Sequence, residues 1–317
     1  MFRWKTTARR AAVLCVLAAG IGLGGSAQAQ TTLRWKFKDG DTQRFNMIQR
    51  TESQATVGEQ KIEMTQEMSM DLSWKVAKVD ADGTATIEQT IDRVKMMMDG
   101  QVGRMSFDSR DPDASEGPEQ AIAPMRTMFE AMVGKPFISV MTPRGEIKET
   151  KIPDSLKDAL KAAAPGMESM MEGLMGGGNG KSSLLGNISM FPEEAVSVGK
   201  SWSSDADQKL GPLGSMKVKQ KYTYAGPVTE GDRSLEKIEL DMSMQMEPGK
   251  DSPFGNVAMD VKNAKGMLLF DNKAGKLVRS ETSTSMTMKM EVQGQQIEQE
   301  METSQVLKPI AEASPGK

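Results

Sequence analysis

The sequence predicts a mainly β protein, built of long antiparallel meanders that form two related, curved β-units with a short helical insertion between them. Three observations carry this. Many segments alternate apolar and polar residues with a period of two, the pattern of a half-buried strand. Short turns rich in Asp, Asn and Gly separate those segments. Several runs also exceed a dozen residues, against a usual strand of about 5–6. At about 3.3 Å per residue, fifteen residues reach roughly 50 Å. Strands of that length build sheets that wrap a helix, a second sheet or a ligand.

The first alternating stretch, TTLRWKFK at 31–38, sets Leu33, Trp35 and Phe37 on one face and Arg34, Lys36 and Lys38 on the other, so a strand is expected there. Asp39-Gly40-Asp41 turns into strands over 42–55 and 61–79. Asp80-Ala81-Asp82-Gly83 is a hairpin turn, because Asp and Gly tolerate the positive φ that tight turns require. Strands over 84–98 and 101–108 follow. The character then changes: 109–120 is a polar Pro/Gly loop, and 121–133 reads as a short helix. A hairpin pairs 135–141 with 146–151 across Pro143-Arg144-Gly145. Residues 154–175 have helical composition, interrupted by Pro165-Gly166. GGGNGKSS, at 176–183, reads as a flexible linker. Six further strands are expected over 201–209, 216–225, 234–246, 256–271, 275–292 and 295–307. The organisation expected is a leader at 1–29, an N-terminal β-unit at 30–151 and a helical insertion with Gly-rich linker at 152–199. A C-terminal β-unit at 200–308 and a disordered tail at 309–317 complete it.

Arg3, Lys5, Arg9 and Arg10 precede an apolar run at 11–23, and Ala27-Gln28-Ala29 is a small-x-small site. That is the build of a secretory signal peptide cleaved after Ala29, so a periplasmic or extracellular protein is expected. The leader carries four of the 40 cationic residues and none of the 43 acidic ones, so its loss moves the net charge from −3 to −7. Such a surface does not suit nucleic acid or anionic lipid. The one cysteine, Cys15, lies in the leader, so neither a disulfide nor a thiolate nucleophile is expected in the mature chain. Histidine is absent, which removes Ser-His-Asp catalysis and imidazole metal sites. No later apolar run approaches the ~20 residues that span a bilayer. No enzyme activity, cofactor or metal is expected.

Methionine is the distinctive feature. Met68 and Met70, then Met242, Met244 and Met246, then Met286, Met288 and Met290 take every second place in their strands. Each set therefore shares one face, opposed by residues such as Ser243, Gln245, Thr287 and Lys289. Three readings compete. The ordinary fate of an apolar stripe favours plain core, with flexible thioethers filling gaps that β-branched residues would not fit. The second is an adaptable apolar cavity for a lipid-like ligand. The third is Cu(I), which soft thioethers select, although three or four converging donors would be needed. The acidic loop with Asp108, Asp111, Asp113 and Glu116 lacks the register of a Ca²⁺ loop. Gly180-Lys181-Ser182 lacks the frame of a phosphate loop. A carboxylate-pair enzyme has no sequence feature in its favour, and Trp35, Trp74, Trp202, Tyr222 and Tyr224 are few for stacking a sugar. The composition favours a cell-envelope structural or interaction module, with a carrier of a lipid-like apolar ligand as the alternative.

LRWKFKDGDTQRF near the expected mature start, the Met-rich MTQEMSMDLSWKV and VGKPFISVMTPRGEI together resemble an uncharacterised family of secreted planctomycete-type bacterial proteins. The resemblance implies export and a β-rich fold. It implies no activity and transfers no functional residue.

Overall fold

The computed structural model describes residues 30–101, 103–154, 157–158, 191–209, 214–249, 258–292 and 295–310. The expected leader, most of the 154–175 helix, the Gly-rich linker and residues 311–317 lie outside the described residues.

Alternation builds the strands where it was expected. The first run gives β1 (Thr42–Val57), β2 (Gln60–Val79), β3 (Ala85–Gly100) and β4 (Gly103–Asp108). Helix α1 (Glu119–Met132) and the hairpin β5 (Phe137–Met141) and β6 (Ile147–Lys151) follow. The second run gives β7 (Ser201–Lys209), β8 (Gly214–Glu230), β9 (Arg233–Pro248), β10 (Ala258–Asp271), β11 (Lys276–Val292) and β12 (Gln295–Pro309). The turn before β3 forms as its residues dictate. Gly83 adopts φ +81, its N–H donates to the Asp80 carbonyl at 2.9 Å, and the Thr84 N–H donates to Asp82 Oδ1 at 3.0 Å.

All twelve strands of the described residues belong to one open antiparallel sheet, in the order β6-β5-β3-β2-β1-β12-β11-β10-β9-β8-β7, with β4 paired to β3. The two meanders join where β1 pairs with β12, from Phe45↔Pro309 to Val57↔Ile297. Local periodicity does not report this contact between the first and last strands, because the pairing partners lie more than 230 residues apart in sequence.

Two expectations need correction. Residues 31–38 keep their alternation, with Leu33 and Trp35 buried, but among the described residues they form no ladder beyond a single bridge between Thr31 and Val196. They are a strap. The Trp35 N–H donates to the Pro143 carbonyl at 2.7 Å, and the next residue, Lys36, donates to the Gly275 carbonyl at 3.1 Å. Asn272 Oδ1 accepts from the Arg34 N–H at 3.2 Å, and Asn272 Nδ2 donates to the Thr32 carbonyl at 2.9 Å. An extended segment buried on one side shows period two whether or not a neighbouring strand pairs with it. The second correction concerns β8, expected over 216–225. It runs through Gly226-Pro227 to Glu230, because a bulge between Tyr224 and Gly226 absorbs the break.

The strap also reveals curvature. Pro143 follows β5 and Gly275 precedes β11, and the path between them is β5-β3-β2-β1-β12-β11. Those five ladders would span about 24 Å in a flat sheet. Two consecutive strap residues bond both turns, so the sheet curls tightly at this end. The core fills the curl: Trp35 lies edge-on to Phe270 at 5.2 Å and 6.3 Å from Trp74, and Phe45 meets Trp74 at 5.1 Å. Tyr222, Ile238, Leu268 and Leu277 belong to the same buried cluster. Helix α1 adds Ile122, Phe129 and Met132 to the buried set, with Phe129 stacked on Phe107 at 5.5 Å.

Candidate functional site: the inner face of the sheet

The strands outrun the core, and the face that begins as core continues past it. In β1 the inward positions read Phe45, Met47, Gln49, Thr51, Ser53, Ala55 and Val57. Register carries each level across the sheet. Met47 lies between Met70 and Leu307, and Gln49 between Met68 and Gln305. Thr51 lies between Gln66 and Thr303, and Ser53 between Met64 and Met301. On β11, Thr282 faces Gln305, Thr284 faces Thr303, Met286 faces Met301 and Met290 faces Ile297.

Three zones result. The strapped end is aromatic and aliphatic. A belt of amides and hydroxyls follows, comprising Gln49, Gln66, Thr51, Thr303, Gln305 and Thr282. Beyond it lies a rim rich in thioethers. All six belt residues are half-buried.

The sequence-predicted methionines fall in different zones. Met70 is buried at 7 % exposure and belongs to the core. Met68 sits at belt level, opposite Gln49 and Met96. Met286, Met288 and Met290 are half-buried on the rim, with Met286 opposite Met301 and Val261, and Met288 opposite Met259. Met242, Met244 and Met246 are also half-buried; they face Gln220, Val218 and Met216 of β8. These last three are set apart from the β11 group. The β9–β10 ladder runs from Phe270↔Glu236 only to Lys265↔Asp241, although β9 continues to Pro248 and β10 begins at Ala258. The sheet parts there, and among the described residues β9 has no partner on its β10 side from Met242 onward.

The belt was missed by pattern reading, because a Gln or Thr in an alternating strand is ordinarily assigned to the solvent side. The available signal was phase: Gln49, Thr51 and Ser53 keep the parity of Phe45 and Met47.

Charge is partitioned by face. The inward positions of β1 from Phe45 to Val57, β2 from Gln60 to Trp74, β11 from Ser280 to Met290 and β12 from Ile297 to Leu307 hold no charged residue. The same is true of Met216, Val218, Gln220 and Tyr222 on β8 and of Leu240, Met242, Met244 and Met246 on β9. The opposite face is laced with ion pairs such as Lys75–Glu88 at 3.4 Å, Lys262–Glu300 at 3.1 Å and Lys289–Glu298 at 3.3 Å. A groove of about 390 Å³ beside Glu63, Lys262 and Glu300 belongs mostly to that charged face.

Titration follows this geometry. Arg93 forks onto Asp108, with Nε donating to Oδ1 at 2.9 Å and Nη2 donating to Oδ2. These hydrogen bonds hold the Asp108 carboxyl below the usual carboxylate range. Burial pushes the Tyr222 hydroxyl well above its ordinary value, and that hydroxyl donates to Gln220 Oε1 at 2.9 Å. Among the described residues no three His, Cys, Asp or Glu side chains form a group that could hold a metal ion. Among the same residues no helix is long and apolar enough to cross a membrane.

Fold and face together define a mainly β protein: one long, open, coiled antiparallel sheet with an aromatic core at its strapped end and an uncharged inner face beyond it. The chain belongs to a family of unknown function, DUF6263, whose profile matches residues 82–299. Comparison with curated proteins returns no match. Among solved structures the chain is similar to a lipovitellin studied for lipid–protein interactions, with TM-score 0.43 and 11 % identity over 89 % of this chain and 26 % of that one. It thus spans about a quarter of that relative. It is also similar to DynF from the dynemicin biosynthesis pathway of Micromonospora chersina, with TM-score 0.25 and 5 % identity over 92 % of this chain and 90 % of that one. A DUF1329 family protein from Desulfovibrio piger gives TM-score 0.15 and 8 % identity over 85 % and 87 % of the two chains. At such TM-scores these likenesses carry no functional argument.

Proposed function

We propose that this chain is an exported, non-enzymatic binding protein that holds an apolar, lipid-like molecule against the inner face of its sheet. One observation carries the reading: the face that is sealed core at the strapped end continues outward as methionines that are only half-buried. Plain core, the reading the sequence favoured, accounts for Met47, Met70 and Met96, which are buried. Met242 packs against the margin of that core, but plain core does not account for Met244, Met246, Met286, Met288 and Met290, which stay half-buried. Extended apolar surface of that kind marks an interaction site on a soluble protein. Thioethers suit it because three rotatable bonds let the lining adapt to an occupant without a fixed shape. A Cu(I) role is less well supported. The register sets the rim thioethers in facing pairs, such as Met286 with Met301 and Met288 with Met259, whereas a metal needs three or four donors at one point.

Native mass spectrometry of full-length protein, purified without detergent from an exporting host, tests the reading. The expected result is an adduct that organic solvent extracts as lipid. A ligand-free protein that takes up no added lipid would sink it.

A further inference from the structure

The inner face also limits which lipid fits. We infer that the ligand is a neutral lipid bearing hydrogen-bond-accepting oxygens, of the acyl-ester class, with its oxygens at the glutamine–threonine belt and its chains along the methionine rim. This rests on the ligand-binding reading above.

The first argument is charge. A bound carboxylate or phosphate carries a full charge, which in a site closed to water calls for a paired cation, whereas a neutral oxygen needs only a hydrogen-bond donor. The inward positions of β1, β2, β8, β9, β11 and β12 named above offer no Lys or Arg. Cations are plentiful on the same strands, but they point the other way, as Lys217 and Lys289 do in their ion pairs. The face selects against a formal charge.

The second argument is unspent donor capacity. Gln66 Nε2 donates to the Met96 sulfur at 3.7 Å, and Gln305 Nε2 donates to the Met47 sulfur at 2.8 Å. A thioether is a weak acceptor, so a carbonyl oxygen offered to either amide would displace it favourably. The Thr51 and Thr303 hydroxyls share one hydrogen bond at 3.1 Å. Only one of the two protons can lie between them, which leaves the other free to donate. Gln49 and Gln305 are direct cross-strand partners, and Thr51 and Thr303 occupy the next level along the same ladder. With Gln66 of β2 beside Thr51, the donors form one contiguous patch centred on the junction of β1 and β12, where the two meanders meet. A hydrocarbon would leave these groups unmatched, whereas an ester places acceptors at that level and apolar chains on either side.

The geometry predicts a ranking that needs no variant. Delipidated full-length protein is titrated with three probes of equal chain length: methyl oleate, oleate at pH 9 and 1-octadecene. Methyl oleate is expected to bind at least about tenfold more tightly than either of the others, the scale of one or two well-made neutral hydrogen bonds. The double variant Gln66→Leu/Gln305→Leu should lose most of that preference while keeping its affinity for 1-octadecene. Equal binding of ester and hydrocarbon by the natural sequence would overturn the inference and leave the binding reading standing, as would preference for the oleate anion. Failure of all three probes to bind would overturn the binding reading itself.

Discussion

The backbone of β10 at Gly266 lies so close to Glu281 of β11 that a Cβ built on the glycine would sit 2.5 Å from the Glu281 carbonyl oxygen. Gly266 is also the inward residue beside the last β9–β10 pair, Lys265↔Asp241, where those two strands part. A side chain there would have to push β10 away from β11, because the obstructing atom is backbone and cannot rotate aside. Gly266→Ala should therefore cost about 1–3 kcal/mol, the usual scale of overpacking. A lowered urea midpoint with unchanged m value would show it; an unchanged midpoint would mean that the close approach is not made in solution.

The strap makes a similar demand at Gly275. This residue adopts φ +67, and a Cβ on it would collide with the Lys36 backbone nitrogen. Gly275→Ala is expected to loosen the strap, because the substituent occupies the place of the Lys36 backbone that bonds there. Trp35 should become more solvent-accessible, read as a red-shifted emission and easier quenching. Stability should fall by about 2 kcal/mol, combining backbone strain with lost packing. A variant with native emission would refute the role given to the strap.

Asp108 links stability to acid. Its side chain is 19 % exposed and that of Arg93 33 %, so solvent screens the pair only in part. The carboxyl titrates below its ordinary range when folded, so the folded state favours the ionised form. Its contribution is complete above the unfolded carboxylate value of about 3.9 and is lost as pH falls through the depressed folded value. Asp108→Asn should lower stability by about 1–2 kcal/mol at pH 7. The difference from the natural sequence should vanish near pH 2, as denaturant melts at both pH values would reveal.

Tyr222 acts at the other end of the scale. Burial raises its folded value, so the unfolded chain ionises first as the solution becomes alkaline. Its contribution is intact below about pH 10, the ordinary tyrosine value, and declines above it. Absorbance titration at 295 nm should show Tyr222 ionising only together with unfolding, and Tyr222→Phe should reduce the loss of stability between pH 9 and 11. Ionisation of both tyrosines in native protein at pH 10 would contradict the burial.

Most strands were legible because one buried face stamps period two on a long run, and turns such as Asp80–Gly83 announce themselves by residue type. Three features were not. Residues 31–38 carry the same stamp without a ladder, since one-sided burial and strand pairing leave identical traces. The β1–β12 seam depends on partners at opposite ends of the chain, which no window of sequence contains. The belt of Gln49, Thr51, Thr303 and Gln305 reads as ordinary surface until register shows it continuing the row of Phe45 and Leu307.

Oxidation of the thioethers separates core from rim. Access of peroxide to sulfur governs its rate, and the structure divides the methionines clearly. Met47, Met70, Met96 and Met141 are buried at 1–7 % exposure. Met242, Met244, Met246, Met286, Met288 and Met290 are half-buried. In delipidated protein the second group should oxidise several-fold faster under mild peroxide, with peptide mapping reading each site. Methyl oleate should then slow the β11 group without changing Met47 or Met70, since only the rim lies under the proposed chains. Cu(I) would instead protect three or four sulfurs and leave their neighbours reactive. Uniformly slow oxidation of both groups, with or without lipid, would mean that the rim is covered by the protein itself and that the inner face is core from end to end.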